Sequence, residues 1–115
     1  HEGRQAMTPW RLYVAVPVNG GPAKIGITTS PQRRKWALKR AGFGVVRIVW
    51  MSRASPYACA AEALVKRRHR VRGVLGDEWF DVRPDALANS ARKALKKARR
   101  NLGDAWRAWE IEMRP

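Results

Sequence analysis

Cysteine is almost absent: Cys59 is the only one in 115 residues. That excludes an intrachain disulfide framework and a cysteine-rich zinc site, and it fits a reducing cytoplasm. Acidic residues are scarce too. Nine Asp and Glu face 24 Lys and Arg, leaving a formal charge of +15 with no acidic block to neutralise it internally. No run approaches the roughly 18 continuous apolar residues of a spanning helix, and no secretory leader pattern is visible, so no membrane partner is expected. Internal repeats and convincing linkers are also missing, which at this length points to one domain. What is present is a field that attracts polyanions. Nucleic acid, DNA or RNA, is the first candidate partner, ahead of an anionic membrane surface. The expected setting is the cytoplasm, on a nucleoid or in a cell hosting a phage or mobile element.

Hydrophobic residues make up 45% of the chain, enough for one core and too many for global disorder. Residues 1–9 read as an N-terminal arm or an expression remnant, with Met7 a candidate natural start; residues 10–115 read as the domain. Trp10 to Val18 alternates as a strand, with Leu12, Val14 and Val16 on one face and Tyr13 on the other. Asn19-Gly20-Gly21-Pro22 is a turn signal, and Ala23 to Thr28 returns antiparallel. Ser30 caps a helix with Pro31 at its first position, running to about Arg40, where Gly42 and Gly44 end it. Val45 to Met51 is the most β-prone run and is expected as the central strand.

Ser55-Pro56 opens a second helix to about Arg70, Gly73 and Gly76 punctuate a loop, and Glu78 to Val82 is a short fourth strand. Pro84 starts a long basic helix over 84–112, with an apolar stripe through Leu87, Ala91, Ala94, Leu95, Ala98, Leu102, Ala105 and Trp109. The expected fold is α+β: a small mixed or antiparallel sheet of three to four strands flanked by helices, with a long C-terminal helix.

The chemistry-bearing residues cluster early. Leu12-Tyr13-Val14 lies on the first strand, Lys24-Ile25-Gly26 on the second, and Ser30-Pro31-Gln32-Arg33-Arg34 opens the first helix. Eleven residues lead from Tyr13 to Lys24, and eight from Gly26 to Arg34. Glu62 is the lone carboxylate between Gln32 and Gly76, set in an otherwise apolar helical run, and Gly76-Asp77-Glu78-Trp79-Phe80 follows. This ordered set resembles the GIY-YIG nuclease superfamily, and within it the compact Mug113/T5orf172-like branch, over about residues 10–83. Lys24 stands where the family's second motif has a tyrosine, one acidic residue is inserted before Trp79, and Lys66 and His69 depart from the family's helix.

The resemblance implies a catalytic set of Tyr13, Lys24, Arg34 and Glu62, with Gly26 as a structural motif residue. Tyr13, helped by Lys24, is expected to take the proton of an attacking water, since an ammonium beside a phenol lowers its pKa. Arg34 would grip phosphate oxygens and offset transition-state charge. Glu62 would hold Mg²⁺ or Mn²⁺, because one carboxylate with waters and substrate oxygens suits that ion. Each residue also has a plainer reading: a half-buried strand tyrosine, a strand-edge lysine, a bulge glycine, and a surface Glu62 paired with Lys66 at i+4. Gly26 is otherwise expected to let the substrate approach the strand. Trp79 and Phe80 read as core anchors, and Asn89 as a residue without a site role.

Arg33, Arg40, Lys66, Arg67, Arg70, Arg92, Lys93, Lys96 and Arg100 are the expected nucleic-acid contacts, neutralising phosphates without reading bases. Trp36 and Trp106 are candidates for stacking on bases. Three functions follow: a metal-dependent DNA endonuclease of low sequence specificity, a nuclease-like module that binds nucleic acid without cutting, and a protein-directed factor. Trp106, Trp109, Ile111 and Met113 near the end of the last helix offer a route to a homodimer.

Overall fold

A computed structural model describes residues 10–112, with side chains placed to residue 103. The arm at 1–9 and the apolar end of the last helix, with Trp106, Trp109, Ile111 and Met113, lie outside the residues whose side chains are described. The first two strands, β1 (Arg11–Pro17) and β2 (Ala23–Thr28), form the expected antiparallel hairpin. Gly20 and Gly21 carry φ of 87° and 123° in the turn, a region L side chains avoid, and the Gly20 amide donates to the Pro17 carbonyl at 3.0 Å. At the far end of β2, the Ser30 hydroxyl accepts from the Arg33 amide at 3.4 Å, and Pro31 sits in the first turn of α1 (Pro31–Leu38). That helix widens into a π-turn over Lys39–Phe43, and Gly42 at φ 96° terminates it.

The strand β3 (Val46–Met51) pairs antiparallel with β1 and has no strand on its other side, since the sheet order is β3-β1-β2-β5-β4. The run expected at the centre of the sheet is therefore an edge. Its β-branched content reports a pleated, half-buried surface and not a position in the sheet. Arg47 faces solvent there, as an edge allows. The centre is β2, bounded by β1 and by the two-residue β5 (Trp79–Phe80). Between them in the chain come α2 (Ala58–Arg68), a 3₁₀ turn over Arg70–Arg72 and β4 (Gly73–Leu75). Segment 73–75, expected as loop, thus adds a fifth strand, paired with β5. The chain is α+β, an antiparallel sheet with three α-helices, ending in the long α3 (Pro84–Glu112). Among the described residues no helix is long and apolar enough to cross a membrane.

Alternation along β1 sends side chains to two cores. Leu12, Val14 and Val16 join Ile25 of β2 beneath α2 and α3, where Ala58, Ala61, Val65, Leu87, Ala91, Ala94 and Ala98 close the gap. The small residues let the two helices approach each other and the sheet. The expected α3 stripe holds through Ala98, while Leu102 is 41% exposed. Tyr13 and Ala15 point to the opposite face, where Leu38, Val46 and Trp79 form a second, smaller core. Trp79 and Phe80 are buried on opposite sides, and Phe43 stacks on Trp79 at 4.9 Å between centroids.

Candidate active site

Tyr13 is the largest fully buried side chain, and its ring lies across the neighbouring strand. The reason is Gly26, its register partner on β2: a Cβ there would fall 2.6 Å from the Tyr13 hydroxyl and 2.7 Å from Cζ. Gly26 therefore makes room for the tyrosine ring, which corrects the expectation that it admits substrate. The Tyr13 hydroxyl is closed to solvent and has no hydrogen-bond partner among the described residues. A buried hydroxyl left unpaired costs about 1–3 kcal/mol, a cost that a folded protein ordinarily removes by supplying a partner.

Lys24, paired with Ala15 in the β1–β2 register, is buried on the same face. Its ammonium lies 5.4 Å from the Tyr13 ring centroid, donates to the Ile25 carbonyl at 3.2 Å and meets the Glu78 carboxylate at 3.6 Å. Glu78 precedes β5, which pairs with β2 only at Ala23 and Lys24. The Ile25 amide also donates to the Glu78 carbonyl at 3.0 Å, which brings the Glu78 side chain beside β2, where charged side chains meet. From α2, the Lys66 ammonium reaches Glu78 at 3.8 Å, Glu62 at 3.6 Å and Asp77 at 3.9 Å. The result is a chain of alternating charge: Lys24, Glu78, Lys66, Glu62. Arg34, partly buried in the first turn of α1, completes the group, close enough for its charge to act on both Tyr13 and Lys24.

Burial dominates the proton affinities. It pushes the Tyr13 phenol from 10.0 up to about 12; Arg34 pulls down, while Glu78 and Glu62 push further up. The expectation that Lys24 would ease loss of the phenol proton fails, because desolvation of the phenolate outweighs the nearby positive charge. Lys24 itself is lowered by burial, partly offset by Glu78 and Glu62, with Arg34 and Lys66 lowering it further. Glu62 is raised by burial, against the pull of Lys66 and Lys24. In the resting state, then, the group whose proton affinity moves toward neutrality as a base is the lysine.

Glu62 makes the i+4 pair with Lys66 that its plain reading predicts, yet its side chain is only 14% exposed, so it is not a solvated surface acid. Lys66, expected among the nucleic-acid contacts, is instead held inward by three carboxylates. Sequence spacing reveals one of these partners; Asp77 and Glu78 arrive only through the β4–β5 turn. Arg33, Arg40, Arg67, Arg70, Arg92, Lys93, Lys96 and Arg100 are all exposed. Arg40 stacks over Trp36 at 4.7 Å, and Trp36 is 61% exposed. Arg92 donates to the Asn89 carbonyl oxygen at 2.9 Å and lies 5.7 Å over Trp50. A contact no sequence signal announced joins His69 Nε2 and Ser90 Oγ at 2.8 Å, across 21 residues of chain.

The donor set fits a loosely held divalent ion. Among the described residues no group of three His, Cys, Asp or Glu could cage a metal. Mg²⁺, however, takes one or two carboxylates and fills its shell with waters and substrate phosphate oxygens, and Glu62 supplies one partly buried carboxylate, with Oε2 3.6 Å from Lys66 Nζ. No family model, curated protein or solved structure matches the chain.

Proposed function

We propose that the protein is a divalent-metal-dependent DNA endonuclease that hydrolyses phosphodiester bonds with low sequence specificity. The observation that carries this reading is the meeting of Tyr13, Lys24, Arg34 and Glu62 around one pair of bridging charges, on a chain of net charge +15. The GIY-YIG-like order of those residues along the chain adds to it. Arg34 grips the nonbridging oxygens of the scissile phosphate and offsets charge as phosphorus becomes pentacoordinate. Lys24 can take the proton of the attacking water only after losing one of its own, and burial moves it in that direction against the pull of Glu78 and Glu62. The water oxygen bonds to phosphorus as the bond to the leaving oxygen breaks. Tyr13 keeps its proton at neutral pH and donates a hydrogen bond to the water or to a phosphate oxygen. Glu62 would hold Mg²⁺ or Mn²⁺, which would supply Lewis-acid stabilisation of the developing negative charge. Because the Tyr13 hydroxyl is closed to solvent at rest, substrate entry has to open the cluster. Arg33, Arg40 and Trp36, all exposed on or just after α1, would hold the strand.

Plasmid nicking with Mg²⁺ or Mn²⁺ tests the reading. Glu62→Ala is expected to lower nicking by at least about a hundredfold, the scale of a lost metal-ion contribution, while DNA binding persists. Unchanged nicking removes Glu62 from the mechanism. The closed hydroxyl and the Lys66–Glu62 pair favour a second reading, a module that holds nucleic acid without cutting it. Such a module gives salt-sensitive gel shifts and no product with either metal in the wild-type protein.

A further inference from the structure

The second helix and the last helix part to leave a cleft of about 720 Å³, away from the Lys66 cluster. Its walls carry Arg67 and Arg68 from α2 and Lys93 and Lys97 from α3; its polar floor is the hydrogen-bonded pair of His69 and Ser90. No carboxylate lines it, and among the described residues none of the four cations takes part in an ion pair. This is a sharp departure from the rest of α2, where Lys66 alone gathers three acids. Arg67 and Arg68 lie in the last turn of α2 and partly serve to offset the negative end of that helix. Lys93 and Lys97 sit far inside α3, where no helix end needs them. Asn89 also lines the cleft, and its carbonyl oxygen accepts from Arg92.

Of the ligand classes, the lining selects a phosphate chain. A carboxylate-free wall with four unpaired cations attracts polyanions. The cleft offers no Trp, Tyr or Phe on which a base could stack, and the one imidazole is engaged by Ser90. Recognition there is confined to phosphates, and the volume exceeds what a single inorganic phosphate fills. We propose that the α2–α3 cleft binds the phosphodiester backbone of a nucleic acid through Arg67, Arg68, Lys93 and Lys97, without reading its sequence. The site goes beyond the endonuclease reading and needs no hydrolysis at the Lys66 cluster, so it survives if that reading fails.

The test is binding, not cleavage: affinity for a short DNA duplex without divalent metal, measured against salt. Lys93→Gln with Lys97→Gln is expected to lower the slope of log affinity against log salt by about 2. Arg47→Gln with Arg53→Gln removes the same charge from exposed positions outside the cleft, and is expected to lower it by much less. His69 reports on the floor directly. Only one other histidine, His1, is present, and the His69 ring resonances are expected to move on adding duplex to the wild type and not to the Lys93/Lys97 variant. Should that variant fail to fold, Arg67→Gln with Arg68→Gln serves in its place with the same expected outcome. Equal slopes for the cleft and control variants overturn the proposal. So does a His69 signal that moves with pyrophosphate alone and ignores duplex, which marks a small-anion site.

Discussion

One helix, α2, serves two regions that handle charge in opposite ways. On the face of Glu62 and Lys66, four residues apart, acids and bases alternate until the group is nearly neutral, and burial raises the proton affinity of Glu62. On the face of Leu64 and Arg68 the same helix borders a cleft with cations only. The described part of the chain has few carboxylates to spend, and three of them crowd a single ammonium. Concentrating them there leaves the walls of the cleft without a carboxylate. The neutral cluster depends on close packing and tolerates little change. The cationic cleft is exposed and gains its attraction from long-range field, which salt screens.

The comparison breaks most severely at Gly26. Gly26→Ala puts a methyl group against three atoms of the Tyr13 ring, the nearest at 2.6 Å. The ring is walled by Leu38, Val46 and Trp79 and has nowhere to go. Urea denaturation is expected to show a loss of about 1–3 kcal/mol, the cost of overpacking. Tyr13→Phe, which deletes only the orphan hydroxyl, is expected to hold or raise stability in the same assay. A Gly26→Ala protein as stable as wild type means the ring does not lie across β2.

A smaller effect is expected at Lys66. Lys66→Met leaves Glu62, Asp77 and Glu78 without their shared counter-charge. The cluster is only partly buried, so the loss falls between exposed and buried ion pairs, about 1–2 kcal/mol. Carboxyl NMR is expected to show Glu62 rising further, since Lys66 now pulls it down. A Glu62 titration that does not move shows the ion pair to be absent in solution.

The smallest effect belongs to the floor of the cleft. Burial, and then Arg68, lower the proton affinity of His69 below its ordinary 6.5. The unfolded chain therefore binds a proton first as pH falls, and the stability His69 contributes is full above 6.5 and lost as pH drops through its folded-state value. His69→Gln is expected to flatten stability against pH in that acidic window and to leave the slope near pH 8 unchanged. An unaltered slope means that His69 is solvated and the cleft has no closed floor.

Local signals were legible where one turn or cap decides the structure. Asn19-Gly20-Gly21-Pro22 announced the hairpin, Ser30-Pro31 the start of α1, and the spacing of Leu87, Ala91, Ala94 and Ala98 the buried face of α3. Strand order was not legible, because Val46 to Met51 has the same composition at an edge as at a centre. Nor was β4, three exposed residues that carry no alternation and exist by pairing with β5. For the candidate site, sequence placed Tyr13, Lys24, Arg34 and Glu62 in order. It missed that Tyr13 would be sealed by burial and Lys66 drawn inward, since both depend on partners remote in the chain. The link from His69 to Ser90 depends on how α2 docks against α3, which no local pattern encodes.

Cys59, the only thiol of the chain, is exposed on α2 one turn before Glu62. With no second cysteine in the chain, its one route to a disulfide is outward, to another molecule. Two chains oxidised together would be tethered back to back through the helix that carries the acid, crowding the mouth of the cluster. A covalent pair on a non-reducing gel that disperses with reductant is the expected consequence of that exposed thiol.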